Sequence, residues 1–293
     1  MKRPSGELRG ILMMAIGVFG FAASSLLVRL AFPVSAFEVT FWRLFFGAVF
    51  VTTLAAFRSE LRGWFQDIFS YWVYGLAMSL HFLFFVGALW FTSIAHALSI
   101  VYFSPAIIAV ASTRLFGERL TRIQVAGIAL SIAGIVVMSG FESEMTSRKL
   151  LGDLFALLSG AMFAVYSILG RIRRRHTPVF AYTSRMYAWA ALWAVPLLIV
   201  SFEPSNYTAG RWAALVLAGF VPIGIGHTLY NAALRHLSAT KTNLIATQEV
   251  TGGILLGALF LAEVPGPVTI AGVLMNLAGI VIVLTRGASR RPD

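Results

Sequence analysis

Residues 116–138, FGERLTRIQVAGIALSIAGIVVM, recur as residues 261–283, LAEVPGPVTIAGVLMNLAGIVIV, and this pairing decides how the chain is built. At an offset of 145, Glu118 falls on Glu263, Gly127 on Gly272 and Gly134 on Gly279, and the two AGIV runs coincide. Working outward, residues 9–30 lie over 151–172 at an offset of 142, which matches Gly10 with Gly152, Phe21 with Phe163, Ala22 with Ala164, Ser25 with Ser167 and Arg29 with Arg171. The same offset sets Arg43 on Arg185, and three extra residues near span seven or eight account for the change of offset. The chain is a duplication, with halves 1–145 and 146–293.

Composition fixes the solvent. Of 293 residues, 58% are hydrophobic and 12% charged, against roughly 25% charged in a soluble domain, and the mean hydropathy is +0.82. So few polar side chains do not cover a surface in water, so the surrounding medium is lipid. With no cysteine in the chain, disulfides, thiolate metal sites and cysteine nucleophiles are excluded. The apolar run after Lys2 and Arg3 imitates a signal peptide, but it is too long and recurs later, so it is expected to be a true first span.

Apolar runs bounded by charge, Pro or Gly give ten expected spans at about 8–30, 37–57, 71–91, 96–116, 123–140, 151–171, 179–201, 211–232, 240–262 and 268–285. Basic residues test the set, because cytoplasmic segments retain positive charge. One side collects seventeen: Lys2, Arg3, Arg9, Arg58, Arg62, Arg114, Arg119, Arg122, Arg171, Arg173, Arg174, Arg175, Arg235, Lys241, Arg286, Arg290 and Arg291. The other has four, Arg29, Arg148, Lys149 and Arg211, while Arg43 and Arg185 fall within spans. The alternation orients the chain with both termini cytoplasmic and absorbs the net charge of +11 into topology, leaving no reason to invoke nucleic acid. The expected fold class is an all-α polytopic membrane protein of ten transmembrane helices.

Five spans per half is an odd number, so the second half sits upside down relative to the first. The loops agree: the uncharged turn 32–36 becomes the RIRRRH run at 171–176. Two inverted halves meeting at a midplane site can exchange conformations, which turns an outward opening into an inward one. The alternative is a duplication that merely enlarges a scaffold.

With both copies in view, FGERLTRIQVAGIALSIAGIVV, preceded by SIAHALSIVYFSPAIIAV with Pro105, resembles the EamA-type repeat of the drug/metabolite transporter superfamily over essentially the whole chain. The resemblance implies a substrate cavity lined mainly by spans 1, 3, 4, 6, 8 and 9, and no ATP-binding domain. Within the superfamily the chain is similar to the YddG-type aromatic amino-acid exporters, judged by His81 in span three, aromatic-rich cavity spans and Gln248-Glu249-Val250. Where the first half has Ser104 and Pro105, the second has Glu249 and Val250, which leaves open whether span nine bends as span four should.

Ionisable groups inside hydrocarbon are costly, so each calls for an individual reading. Glu249, beside Thr247 and Gln248, either binds an ammonium group or carries a proton, or is a hydrogen-bonded structural carboxyl. His81 is expected at the cavity, where it can hydrogen-bond a carboxylate. His227 falls at a neighbouring repeat position, because His81 pairs with Gly226 at the offset of 145, and its role is open. Arg43 and Arg185, each near a helix start, read as snorkelling packing anchors in preference to substrate ligands. Ser99 and Tyr102 of span four and Phe163 and Tyr166 of span six would suit a flat apolar substrate with a zwitterionic head. Pro105, Pro222, Gly224 and Gly226 mark candidate hinges, with VPIGIGH at 221–227 foremost. The candidate substrate set is therefore His81, Ser99, Tyr102, Phe163, Tyr166, His227, Gln248 and Glu249.

Other motifs carry nothing. SATK at 238–241 lacks its partner motifs, and NYT at 206–208 fits a glycosylation acceptor without meaning in a bacterial protein. A membrane enzyme would need H-E-x-x-H, G-x-S-x-G or a facing acidic pair, and none is present. A channel or lipid flippase remains as a rival of another class. The expectation is a cofactor-independent, multi-pass secondary transporter of a bacterial inner membrane, monomer or homodimer, that exports small amphipathic metabolites, aromatic amino acids foremost. Other metabolites or drugs are the alternative cargo.

Overall fold

The computed structural model of the chain describes residues 6–92, 94–117, 120–139, 146–261 and 266–285. Glu118, Glu263, Lys2, Arg3, Arg119, Arg286, Arg290, Arg291 and residue 145 at the expected repeat boundary lie outside them. The described chain is helical throughout. In order come α1 (Gly6–Leu30), α2 (Ala36–Phe57), the short α3 (Trp64–Asp67), a 3-10 turn, α4 (Trp72–Phe91), α5 (Ile94–Val101), α6 (Ser104–Leu115) and α7 (Arg122–Ser139). The second half supplies α8 (Ser147–Arg173), α9 (Val179–Ser201), α10 (Ala209–Ala218), a π-helical stretch (Gly219–His227), α11 (Thr228–Ala233), α12 (Ala239–Ala246), α13 (Gln248–Leu261) and α14 (Pro267–Thr285).

Among the described residues nine helical stretches are long and apolar enough to cross a membrane, and a tenth, within α7, is apolar but shorter. The third begins earlier than the hydropathy suggests, at Trp64, because α3 and the 3-10 turn run on into α4. Span edges follow local chemistry. Ser35 and Glu38 form a capping box that starts α2, with Ser35 Oγ accepting from Glu38 N at 3.3 Å and Glu38 Oε2 accepting from Ser35 N at 3.1 Å. Thr146 and Ser238 cap α8 and α12 in the simpler manner. Glu60 does the same for α9 from a distance, accepting from the amides of Phe180 and Ala181 at 3.0 and 3.1 Å.

Packing obeys the duplication. Gly17 of α1 lies against Gly226 of the π-helical stretch, and its repeat mate Ser159 of α8 lies against His81 of α4, the mate of Gly226. Gly10 meets Leu237 as Gly152 meets Thr92. In the α7–α14 pair, Gly134 approaches Gly272 and Gly279 approaches Gly127, and these are the same contact seen from either repeat. Exchanging the halves leaves the neighbours unchanged, so a pseudo-two-fold axis relates them. α2 packs on α9 and α7 on α14 as self-paired elements, while α1 with the π-helical stretch mirrors α8 with α4.

Span four breaks at residues 102–103, just before Pro105, which sits in the first turn of α6 where its missing N–H costs nothing. Span nine breaks at the repeat-equivalent Thr247 with no proline nearby. There Thr247 N and Oγ1 both donate to Leu244 O, at 3.2 and 2.8 Å, and turn the chain. The bend left open by Val250 is thus present, made by a threonine. Span eight is not broken at VPIGIGH. It winds into nine residues of π-helix that include Pro222, Gly224 and Gly226, and the wider winding absorbs the proline.

Candidate functional site

Where the two broken spans face each other, the chain encloses a chamber. Its walls come from α1 (Phe21, Ser24), α4 (His81, Phe82, Phe85), span four (Leu98, Val101, Tyr102), α8 (Phe163), the π-helical stretch (His227) and α13 (Glu249). These are spans 1, 3, 4, 6, 8 and 9. Every lining residue is buried, Glu249 being the most exposed at 9%. The volume open to the centre of a water-sized sphere is about 10 Å³, the scale of a single water. The side chains fill the chamber with one another, in a closed arrangement.

Aromatic edges and faces make that filling. His81 stacks on Phe163, centroids 4.8 Å apart at 19°, and His227 lies 4.5 Å from Phe21 and 4.9 Å from Phe82. The two histidine rings are 6.2 Å apart. Ser159 holds His81 by its Oγ, 3.0 Å from Nδ1, and donates from the same hydroxyl to His81 O at 3.0 Å. Tyr102 donates to Glu249 Oε2 across the break of span four, so the carboxylate is fixed by a phenol of the opposite repeat. Ser104 donates to Asn243 Oδ1 at 2.9 Å and ties the same two broken spans together.

A layer of buried tyrosines separates the chamber from the end bearing the 171–175 arginines. Tyr166 stacks on Phe163 and on Tyr230, centroids 5.8 Å away in each case, and accepts from Asn231 Nδ2. Tyr230 and Ser167 share a hydrogen bond of 2.5 Å, and Tyr187 and Thr228 one of 3.2 Å. Beyond them Arg171 donates to Leu234 O and Arg174 Nε to Asn231 O at 3.0 Å. At the opposite end Phe32 packs on Trp90 at 4.1 Å, and Arg29, the repeat mate of Arg171, donates to Thr92 O at 3.4 Å. Each end is thus latched by the same duplicated arginine on a carbonyl at the end of span three or eight.

Five of the eight sequence-derived candidates meet at the chamber: His81, Tyr102, Phe163, His227 and Glu249. Tyr166 lies one ring deeper. Ser99 is buried outside the lining. Gln248 turns away from the chamber and donates to Asn276 Oδ1 of α14, and Phe103, from the same stretch as Tyr102, faces outward at 49% exposure. Pro105 stands at the break, and Pro222, Gly224 and Gly226 lie in the π-helical stretch, outside the chamber lining that His227 of the same stretch joins. The sequence reading passed over Phe21 and Ser24, although Phe21 is the repeat mate of Phe163. For Arg43 the structure overturns one part of that reading. No snorkelling occurs: Arg43 is wholly buried, its Nη2 donating to Ser24 Oγ at 2.8 Å and its Cζ 4.4 Å from the Phe82 ring centroid. Arg185 does serve packing, with Nε on Trp64 O at 3.2 Å and Nη1 on Ala181 O at 2.8 Å.

A duplicated, all-helical membrane bundle with two broken helices facing a chamber between its repeats is a transporter architecture. The chain belongs to the EamA-like transporter family, whose model matches twice, over residues 8–140 and 150–285. It is similar to the aromatic amino acid exporter YddG of Ancylobacter novellus, 29% identical over 223 residues that cover 73% of this chain and 76% of the exporter. It is also similar to the pseudopaline exporter CntI of Pseudomonas aeruginosa, 26% identical over 285 residues, 94% of this chain and 96% of the relative. A solved crystal structure shares the fold at a TM-score of 0.82 and 23% identity, over 99% of this chain and 100% of the other.

Proposed function

We propose that this EamA-family transporter exports small amphipathic metabolites, aromatic amino acids foremost, across a bacterial inner membrane by alternating access. The observation that carries the reading is the chamber itself: four phenylalanines, two histidines and a tyrosine around a single carboxylate, Glu249. A flat apolar side chain entering between Phe163, Phe82 and Phe21 replaces ring-on-ring contacts with contacts of the same kind, while Glu249 accepts from its ammonium group. His81, held by Ser159, stands within the same wall as a polar edge. The named activity of the Ancylobacter relative favours this cargo, whereas the Pseudomonas relative is named for a different one.

Alternating access follows from the two latched ends. The described closed state passes to an inward-open one when the tyrosine layer and the Arg171 contact part, and to an outward-open one when Phe32–Trp90 and the Arg29 contact part. The basic-rich end is the cytoplasmic one in this reading, with both termini on that side. No cofactor takes part, and either an ion gradient or the substrate's own gradient drives the cycle. The test is exchange of labelled Phe or Trp in proteoliposomes, with and without an imposed pH gradient, for wild type, His81→Ala and Glu249→Gln. Saturable exchange weakened in both variants fits the proposal, and a pH response lost in Glu249→Gln assigns the proton to that residue. Equal rates in all three would refute the site.

A further inference from the structure

Arg43 and Arg185 are repeat mates, and what surrounds them has diverged. Arg185 spends its guanidinium on the carbonyls of Trp64 and Ala181, where it closes a turn. Arg43 is fully buried, and only one of its three guanidinium nitrogens is hydrogen-bonded, Nη2 to Ser24. Among the described residues, Nε and Nη1 have no hydrogen-bond partner. Its cation rests against the faces of Phe82 and Phe85, 4.4 and 5.9 Å from the centroids. Ser24, Phe82 and Phe85 all line the chamber, so the guanidinium stands directly behind that wall.

A buried guanidinium with free donors is costly, and cation–π contact offsets only a small part of the cost. Charged groups retained inside membrane proteins face interior cavities and mark substrate paths. Glu249 gives a carboxylate oxygen to Tyr102 and Arg43 gives Nη2 to Ser24, and no hydrogen bond or ion pair joins the two among the described residues, so each charge keeps hydrogen-bonding capacity unused by the other. A planar fork of free N–H donors matches a carboxylate.

We infer that Arg43 is the carboxylate-binding residue of the chamber, paired with Glu249 as the ammonium-binding one, so that the site selects zwitterions. The inference deepens the proposed transport reading and rests on it for the location of the cargo. In the closed state the Phe82 side chain covers the guanidinium; with substrate present the ring swings aside and the free Nε and Nη1 donate to the carboxylate. Arg185, with Nε and Nη1 held on backbone carbonyls and its cation over Tyr71, has no such role.

The test is ligand binding to purified full-length protein, followed by ligand-induced thermal stabilisation. The probes are L-Phe, L-Leu, phenethylamine, which lacks the carboxylate, and 3-phenylpropionate, which lacks the ammonium. The proteins are wild type, Arg43→Lys, Arg43→Gln, Glu249→Gln and Arg185→Gln. The expected result is that Arg43→Gln weakens L-Phe and 3-phenylpropionate at least tenfold and leaves phenethylamine within about threefold, the scale of one lost charge-assisted contact. Arg43→Lys falls between, Glu249→Gln reverses the pattern, and Arg185→Gln discriminates among none of the probes. Should Arg43→Gln not fold, the wild type still decides: L-Phe must bind at least tenfold tighter than phenethylamine. Equal losses for all probes in Arg43→Gln, or no preference for carboxylates in wild type, overturn the inference while leaving aromatic transport in place. Arg43-dependent binding of L-Leu without binding of L-Phe keeps the carboxylate site and overturns the aromatic cargo. Binding of no carboxylate probe overturns both.

Discussion

Gly134→Ala and Gly279→Ala should destabilise the protein equally, because the two glycines make the same contact from opposite repeats. A Cβ at Gly134 would stand 2.5 Å from Asn276 N and 2.6 Å from Gly272 O; one at Gly279 would stand 2.4 Å from Gly127 O and 2.5 Å from Ser131 N. All four atoms are backbone, so no side chain can yield. Reaching the 3.4 Å of an ordinary contact requires α7 and α14 to part by about 0.9 Å. That movement stretches the bonds from Asn276 Nδ2 to Ser131 Oγ, now 2.8 Å, and to Ser131 O, now 3.1 Å, beyond hydrogen-bonding range. Overpacking costs about 1–3 kcal/mol, and interhelical hydrogen bonds in membranes are worth about 0.6 kcal/mol each. Each variant should therefore lose about 2–4 kcal/mol. Gly253→Ala, with nothing within 4 Å of its Cβ, should be neutral or gain up to about 1 kcal/mol from helix propensity. Unfolding in mixed micelles with increasing denaturing detergent reads all three. Wild-type stability in either core variant, or a gap of more than about 1 kcal/mol between the two, would refute the packing and the symmetry together.

Other expectations follow from the site. Ser159→Ala removes the hydroxyl that meets His81 Nδ1 and His81 O but keeps the Ser159 carbonyl 3.0 Å from Nδ1, so it should weaken substrate binding only about twofold, roughly 0.5 kcal/mol, as read by concentration dependence of exchange; a loss of about tenfold or more would show that the hydroxyl, and not the carbonyl, positions His81. Phe163→Ala removes the ring stacked on His81 and Tyr166 and should cost aromatic cargo about tenfold while sparing aliphatic cargo, measured by competition between Phe and Leu. Arg171→Ala and Arg29→Ala each release one latch and should bias the bundle toward opposite openings. Because the native chain has no cysteine, single cysteines placed at Tyr166 or Ser24 report the bias through labelling by a membrane-impermeant thiol reagent from one side. Parallel changes in both variants would contradict the latch assignment.

Much of the fold was legible because a membrane enforces it. Hydrocarbon admits only helices with internally satisfied backbones, so the run 179–201 gave its helix to the residue, and the repeated AGIV runs gave the duplication, though not that α7 and α14 pack on each other. Local chemistry that hydropathy does not register was harder. The turn at Thr247 depends on a side chain closing on Leu244 O, and the π-helical winding at Gly219–His227 leaves no mark in hydropathy. At the site, polar or aromatic residues in expected cavity spans were readable, and Tyr102, His81 and Glu249 meet there. Which face of a helix points inward was not legible for α2, α4, α7, α13 and α14, which are apolar nearly all round and carry no strong amphipathic stripe. Gln248 therefore went to the wrong neighbour, and Arg43 was read as an edge residue because a position near a helix start leaves no sign that the side chain turns toward Ser24.

The most direct measurement is counterflow of labelled Phe in proteoliposomes loaded with unlabelled Phe, Trp or Thr. The account predicts saturable accumulation of label that Phe and Trp inside the vesicles drive strongly and Thr drives weakly, and that Glu249→Gln weakens. Protein shown to be folded and inserted that exchanges no amino acid, or that passes all three without saturation, would contradict it.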